Sequence, residues 1–369
     1  MDERPYARAV DLNALMYEGD PLADAVIADL VAGDRTGEVN RVLAEFRGND
    51  TPIPENLPES VRTFLHETDN PPEWMDAGRV ARAHEFFLDD GVHVASVLSF
   101  GAMVNCYAQP RPSKVLALTH RLNQPHRRLS ETSQFVLDMM APGAFGGGGG
   151  FVPTIQKTRL IHAAVRYFVT RSPEWDSATD GVPVCQQDLL GALLIFSVQV
   201  VDGMRRIGIS VTEVEAEDYY HVWRVAGAVL GIRADVMPES YAEAEELSAT
   251  MVRASYAPSA EGIELTRNLI ALYEKFIPGK AFDGVVAAMV RQVVDEEVAD
   301  WLEVPRSKGW TRAVRTGERV MRVLERGEDR NRVARAVLDK AGTLLLGASV
   351  RTLTNGQSTT LSVPACLRH

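Results

Sequence analysis

Apolar residues recur at every third or fourth position through most of the chain, which is the period of an amphipathic α-helix. A period of two, typical of strands, has one candidate, the segment 351–354. The pattern therefore predicts an all-α protein built as a large helical bundle. It predicts helices over residues 21–46, 78–105, 113–122, 127–140, 156–171, 186–206, 213–231, 239–254, 260–276, 281–301 and 311–341.

Two local signals refine this prediction. Thr212 and Glu215 have the spacing of a capping box, which marks the start of a helix. Five consecutive glycines at 146–150 cannot hold a helix, so we expect a loop there. The glycine run lacks the Gly-Lys-Ser/Thr ending of a phosphate-binding loop. We expect a plain linker, with a flexible lid over a pocket as the alternative.

The composition fits one large folded unit. The chain has 369 residues, of which 46% are hydrophobic, and this is enough for one large domain or two of moderate size. We find no internal repeat in it. We predict a single helical domain over residues 1–369, in which residues 306–369 form a C-terminal helical extension and tail.

Cysteine usage and the N-terminal residues indicate a cellular compartment. Cys106, Cys185 and Cys366 are odd in number and form no Cys-x-x-Cys pair, which argues against a disulfide framework, a zinc ribbon and covalent c-type haem. The first thirty residues are acidic and show neither a signal peptide nor a twin-arginine leader. The longest apolar run, Leu189–Val201, is too short to span a bilayer. We expect a cytoplasmic protein without a transmembrane segment.

The charge pattern disfavours nucleic acid as a partner. The formal net charge is −11. One basic stripe runs against this trend, since Arg312, Arg315, Arg319, Arg322 and Arg326 follow helical spacing. A solvated or salt-bridged helix face is the favoured interpretation, and an anionic partner or membrane surface is the alternative.

One helical segment carries a candidate cofactor site. Arg159, His162 and Arg166 stand at positions i, i+3 and i+7, so they project from one helix face. A single histidine between two arginines suits a b-type haem, with imidazole on the iron and guanidinium groups for the propionates. The alternative is an amphipathic helix with two solvated arginines and a hydrogen-bonded core histidine.

Other catalytic signatures are missing from the sequence. We find no His-Glu-x-x-His, no Gly-x-Ser-x-Gly and no Gly-x-Gly-x-x-Gly motif that follows a strand. His221 and Arg224 repeat the i, i+3 arrangement and form a rival ligand site. That pair lacks a second arginine and opens an apolar stretch, so we interpret it as a helix-packing feature.

An ordered set of motifs resembles a known family. The set comprises Arg128-x-x-Glu131-Thr132, Arg159-x-x-His162-x-x-x-Arg166, Gln187-Asp-Leu-Leu190, Phe196-Ser197, the stretch Glu213–Arg224, Leu230-Gly231 and Pro238. It is similar to the latex clearing proteins, or rubber oxygenases, and to the related farnesyl-cleaving oxygenase of mycophenolic acid biosynthesis, over residues 70–305. The resemblance implies an all-helical fold with a globin-like core, one non-covalent haem b, and oxidative cleavage of carbon–carbon double bonds in isoprenoids.

The resemblance also assigns roles to individual residues. It implies that His162 is the proximal iron ligand and that Arg128 and Thr132 line the distal side. Two arginines, Arg159 and Arg166, would flank the haem. A further arginine, Arg291, would match one on a late helix near the cofactor.

Glu131 departs from the family pattern. Rubber oxygenases carry a lysine between the arginine and the threonine, over the distal face of the iron. A carboxylate at that position is suited to moving a proton during peroxide activation. We therefore expect an oxygenase or peroxygenase that oxidises a small apolar molecule with dioxygen or hydrogen peroxide, and not an extracellular polymer. The alternatives are a haem-binding gas or redox sensor, with Glu131 closing a six-coordinate iron, and a helical scaffold without a cofactor.

Overall fold

The computed structural model describes residues 10–35, 37, 40, 43, 48–119, 125–276, 284–307 and 309. For residues 125–128 and 276 it describes the backbone alone. Helices, turns and loops account for this part of the chain, which contains no strand, so the all-α prediction is confirmed. The basic stripe at 312–326 and the strand candidate at 351–354 lie outside the described residues.

We number the helices in chain order. They are α1 Leu12–Leu15, α2 Pro21–Ala32, α3 Glu59–Glu67, α4 Ala77–Asp89, α5 Gly91–Tyr107, α6 Pro110–Leu118, α7 Pro125–Met139, α8 Phe151–Val169, α9 Ser177–Asp180, α10 Gln186–Phe196, α11 Val198–Arg206, α12 Glu213–Val229, α13 Tyr241–Ser255, α14 Ala260–Phe276, α15 Val285–Val293 and α16 Glu296–Trp301.

Side-chain caps define several helix starts. At α12 the Glu215 backbone N–H donates to the Thr212 hydroxyl at 3.2 Å, and the Thr212 N–H donates to the Glu215 carboxylate at 2.8 Å. The predicted capping box is therefore present. At α2 the Asp20 carboxylate accepts from the Ala23 N–H at 3.3 Å, and Pro21 occupies the first helical position. These caps fix the direction in which each helix leaves its loop.

Three predicted helices are each broken into two, and one of them, 281–301, divides into α15 and α16. The segment 78–105 divides at Asp90, where the axes of α4 and α5 meet at 86°. The segment 186–206 divides at Ser197, whose hydroxyl donates to the Leu193 carbonyl at 2.6 Å. None of these breaks contains proline, and the apolar period of the sequence continues across each of them, so the sequence pattern does not reveal them.

The apolar face of α8 is shared between two environments. Leu160, Ala163 and Ala164 pack in a cluster with α2 and α3 that includes Ile27 and Phe64. The opposite face of α8 points toward the main core, which α5, α10, α11 and α12 build together. The helix that carries His162 therefore lies between an outer helical layer and the core.

One described segment, Gln186–Arg206, is long and apolar enough to cross a membrane. Of its apolar window, 72% is buried inside the protein. The bent pair α4 and α5 passes the same test only if both helices are counted as one span. Burial of this kind is what a core helix of a globular domain shows, so the hydrophobicity of 186–206 is accounted for by packing.

Candidate active site

A cavity of about 360 Å³ lies between α5, α6, α7, α8, α10 and α12. Its volume falls within the range of about 300–1,000 Å³ that small-molecule sites occupy. Its walls are mostly apolar and include the aromatic side chains Tyr107, Phe135, Phe196 and Trp223. The rings of Phe196 and Trp223 are stacked, with centroids 5.5 Å apart. Such a cavity binds an apolar ligand through its walls and orients it through a few polar groups.

The structure brings three predicted site residues together in this cavity. Glu131 and Thr132 line it from α7, and His162 lines it from α8. Thr158 and Val165 lie on the same face of α8, about one turn before and one turn after His162, and also line the cavity. The helical period therefore directs His162 inward, toward the helix that carries the carboxylate and the hydroxyl.

Arg159 does not line the cavity, although it lies on the His162 helix. Its Nε and Nη2 donate to the two carboxylate oxygens of Asp20 at 2.5 and 2.9 Å, and its Nη1 donates to the Val229 carbonyl at 3.2 Å. Its guanidinium also lies against Gly231, where an added Cβ would be 2.7 Å from the Arg159 Cζ. Haem propionates were the predicted partners of Arg159, but its guanidinium forms an ion pair with a buried aspartate of the same chain.

Arg166 is likewise engaged by groups of the protein. Its side chain is 4% exposed, and its Nε donates to Asp24 at 2.7 Å. Its Nη1 donates to the Val184 carbonyl at 3.0 Å, while its buried Nη2 has no acceptor among the described residues. The sequence prediction considered the helix face alone. It could not include Asp20 and Asp24, which lie far away in the sequence and reach α8 only through tertiary packing.

Arg291 lies on α15 and also stands apart from the cavity. Its Nη2 donates to Asp300 at 2.7 Å, and its Nε donates to the Val304 carbonyl at 3.0 Å. These contacts join α15 to α16 and the chain that follows, which differs from the predicted place beside a haem. Arg128 lies on α7, and its side chain is outside the described residues.

His221, the rival ligand, is a packing residue as predicted. Its Nε2 accepts a hydrogen bond from the Asp76 backbone N–H at 3.0 Å, and its ring packs edge-on against Trp74. Burial and the nearby positive charge of Arg79 lower the pKa of His221 to about 4. The residue is not part of the cavity wall. Its neutral imidazole serves as an acceptor that fixes the start of α4.

Asp188 is a cavity residue for which the sequence suggested no role. Its side chain is 9% exposed and accepts from Arg111 Nη2 at 3.0 Å and from the Cys185 N–H at 3.3 Å. Burial raises the pKa of Asp188, and the guanidinium of Arg111 opposes that shift. Its place in the capping box of α10 was a usable signal, because a cap at a helix start fixes where a carboxylate points.

Residues 88–339 match the family described as ER-bound oxygenase mpaB/B'/Rubber oxygenase, catalytic domain. The chain belongs to this family.

Two relatives illustrate the similarity. The chain is 26% identical over 302 residues to the rubber oxygenase of Streptomyces sp. (strain K30). The aligned residues cover 81% of this chain and 74% of that protein. Its fold is similar to a solved structure of latex clearing protein LCP in the closed state, with a TM-score of 0.80, 24% identity, and 96% and 95% of the two chains covered. The family resemblance inferred from the sequence motifs is thus confirmed, and the protein is an oxidoreductase of the oxygenase type.

Proposed function

We propose that the cavity binds one haem b with His162 as the proximal iron ligand, and that the protein oxidises a small apolar molecule there. One observation carries the proposal: a single imidazole, that of His162, lines a mostly apolar cavity together with the carboxylates of Glu131 and Asp188. The family, which is known for a haem cofactor in general, supports it. When bound, haem supplies a redox-active iron that activates dioxygen or hydrogen peroxide.

The residues of the cavity fit this cofactor. A neutral imidazole is the usual axial ligand of b-type haem, and flat aromatic and aliphatic walls suit the porphyrin faces. All three donor nitrogens of Arg159 are used in contacts with Asp20 and Val229. In Arg166, Nη2 is the donor available to a propionate without loss of an existing contact.

In this proposal Glu131 handles the proton. By the resemblance of the sequence motifs, Glu131 replaces a lysine of the rubber oxygenases. Glu131 lines the cavity, as does Thr132. A carboxylate can accept a proton from the oxidant at one oxygen and return it to the departing oxygen atom. A lysine ammonium must give up its own proton before it can accept one. The replacement of lysine by glutamate therefore favours hydrogen peroxide, which carries its own protons, over dioxygen as the oxidant.

The walls determine the class of substrate. Apolar side chains from α5, α6, α10 and α12 exclude water and leave few groups that could hydrogen-bond a polar ligand. The relative from Streptomyces is a rubber oxygenase, and rubber is an isoprenoid. We therefore infer a neutral isoprenoid or similar lipid as the substrate.

An absorption spectrum of the purified protein, before and after reduction, tests the proposal. A Soret band with one haem per chain is the expected result, and a protein without haem after reconstitution would contradict it. Incubation with peroxide or dioxygen and a short unsaturated isoprenoid should then give an oxidised product. Haem binding without any turnover over a panel of such lipids would instead favour a sensor.

A further inference from the structure

The N-terminal segment Leu12–Ala32 contacts two parts of the cavity wall from outside. It lies before residues 88–339, the part of the chain that matches the family. On one side its helix α2 packs against α8, which carries His162. On the other side its preceding residues run along the loop 181–186, which leads into α10. Both neighbours of this segment contribute side chains to the cavity.

The contact with α8 consists of two ion pairs that flank His162. Asp20 holds Arg159 through both carboxylate oxygens, and Asp24 holds Arg166 at 2.7 Å. Side-chain exposure is 13% for Arg159 and 5% for Asp20, so solvent screens that pair weakly. Arg166 is 4% exposed, but Asp24 is 37% exposed, so solvent screens the second pair from the Asp24 side. The two carboxylates are about one helical turn apart, Asp20 at the N-cap of α2 and Asp24 in its first turn, and together they fix both the rotation and the position of α8.

The contact with the loop resembles the pairing of two extended strands. The Val182 N–H donates to the Met16 carbonyl at 2.9 Å, and the Gln186 N–H donates to the Glu18 carbonyl at 2.8 Å. The Gln186 side chain also donates to the Gly19 carbonyl at 3.2 Å. The loop is therefore tied to the N-terminal segment on both sides of Val184.

Val184 has an unfavourable backbone conformation at the cavity wall. Its φ is +51°, a left-handed conformation in which a β-branched side chain is strained. Its side chain lines the cavity, and its carbonyl accepts from Arg166 Nη1 at 3.0 Å. Strain of this kind persists only where the surroundings hold it, and it is concentrated at functional sites. Here the hydrogen bond from Arg166 stabilises the conformation of Val184, and Asp24 in turn orients Arg166.

We propose that the N-terminal segment is a positioning element of the active site, in which Asp24 orients Arg166 to hold Val184 against the cavity. Asp20 acts in the same way on Arg159 and thereby on the helix that carries His162. Asp24, Arg159 and Asp20 are positioning residues, since they act on the cavity through Arg166, Val184 and α8. The inference rests on the proposed haem site for its spectroscopic readout.

Asp24→Asn tests whether Asp24 acts on Val184 through Arg166, a chain of contacts that we call the relay. Asp29→Asn is the matched control. Asp29 lies on the same helix, and its carboxylate accepts from the Ser60 hydroxyl, away from α8. Loss of the carboxylate charge should raise hydrogen exchange in the peptide covering 181–188 by about fivefold in Asp24→Asn, because the asparagine oxygen can still accept a neutral hydrogen bond. The same peptide in Asp29→Asn should match the parent. Equal exchange in the two variants would overturn the relay.

A second variant separates positioning from general stability. Val184→Gly removes the strain, because glycine adopts positive φ without penalty. In the Val184→Gly background, adding Asp24→Asn should change the exchange of the loop by less than twofold. If Asp24→Asn has its full effect in that background as well, Asp24 merely stabilises the fold.

The haem spectrum provides the readout specific to the site. In the haem-loaded protein, Asp24→Asn should shift the Soret maximum or the electron paramagnetic resonance signal at unchanged haem content, and Asp29→Asn should not. Spectra of Asp24→Asn that superimpose on the parent would exclude an effect on the iron environment. If the parent itself takes up no haem, the proposed function fails. The hydrogen-exchange experiment still shows whether Asp24 acts on Val184 through Arg166.

Discussion

Glu131 and His162 line one cavity from two different helices, α7 and α8, which the glycine-rich loop at 146–150 connects. Asn49 fixes that loop by donating from its side chain to the Ala144 and Gly146 carbonyls at 2.9 and 2.6 Å. The relation between the carboxylate and the imidazole is therefore held by a tethered connection and not by a free linker. This relation is the basis of the first two predictions.

Replacement of His162 by alanine should give protein with little or no haem, because no other imidazole lines the described part of the cavity. His221→Ala is the control, since His221 is equally helical but lies outside the cavity. Haem content by pyridine haemochrome assay distinguishes the two variants. Full occupancy in His162→Ala would remove the assignment of the proximal ligand.

Glu131→Gln should slow peroxide-dependent oxidation by about 10²–10⁴-fold, the usual contribution of a positioned acid–base group. Haem content and fold should remain those of the parent. Asp138→Asn is the control, because Asp138 lies on the same helix but bonds to Gln134 outside the cavity. Stopped-flow mixing of the ferric protein with peroxide gives the rates. An unaltered rate in Glu131→Gln would show that the proton moves by another route.

Asp20→Ala should lower the free energy of unfolding by about 3–5 kcal/mol, because it leaves the guanidinium of Arg159 buried and unpaired. The double variant Asp20→Leu with Arg159→Met should recover most of that loss, since both charges are then removed together. Denaturant unfolding of the parent and the two variants provides the comparison. A double variant as unstable as Asp20→Ala would mean that packing or the lost cap of α2, and not charge, sets the cost.

Protonation of His221 should weaken the fold as the pH falls. The pKa of His221 in the folded protein is about 4, below its ordinary value of 6.5, so the unfolded chain binds the proton first. The contribution of neutral His221 to the free energy of unfolding is therefore fully present above pH 6.5. It is lost as the pH falls from 6.5 to 4, by up to about 3 kcal/mol. His221→Gln should reduce this dependence, as measured by unfolding at pH 7 and pH 4.5. An identical pH dependence in the variant would assign the effect to other groups.

The sequence predicted the class of fold because a helix repeats its apolar positions locally. The breaks at Asp90 and Ser197 were missed because tertiary packing produces them, without proline or a change of period. The short helix α3 was missed for a related reason: its nine residues show too few repeats.

For the site, local information sufficed where one helix face decides the outcome. The spacing of Thr158, His162 and Val165 places them together on the cavity wall. It could not determine what Arg159 meets on the next helix, because Asp20 approaches from more than a hundred residues away. The strained backbone of Val184 has no signal in composition or period, since it depends on groups that hold it after folding.

The position of α2 outside the family match has a practical consequence for where this protein can be shortened. A chain trimmed to residues 88–339 would keep every side chain that lines the cavity. It would lose both aspartates that neutralise Arg159 and Arg166, and would leave two guanidinium groups without their counterions behind the cavity wall. We therefore expect the smallest unit that folds around this cavity to extend back at least to Asp20, well before the residues that match the family.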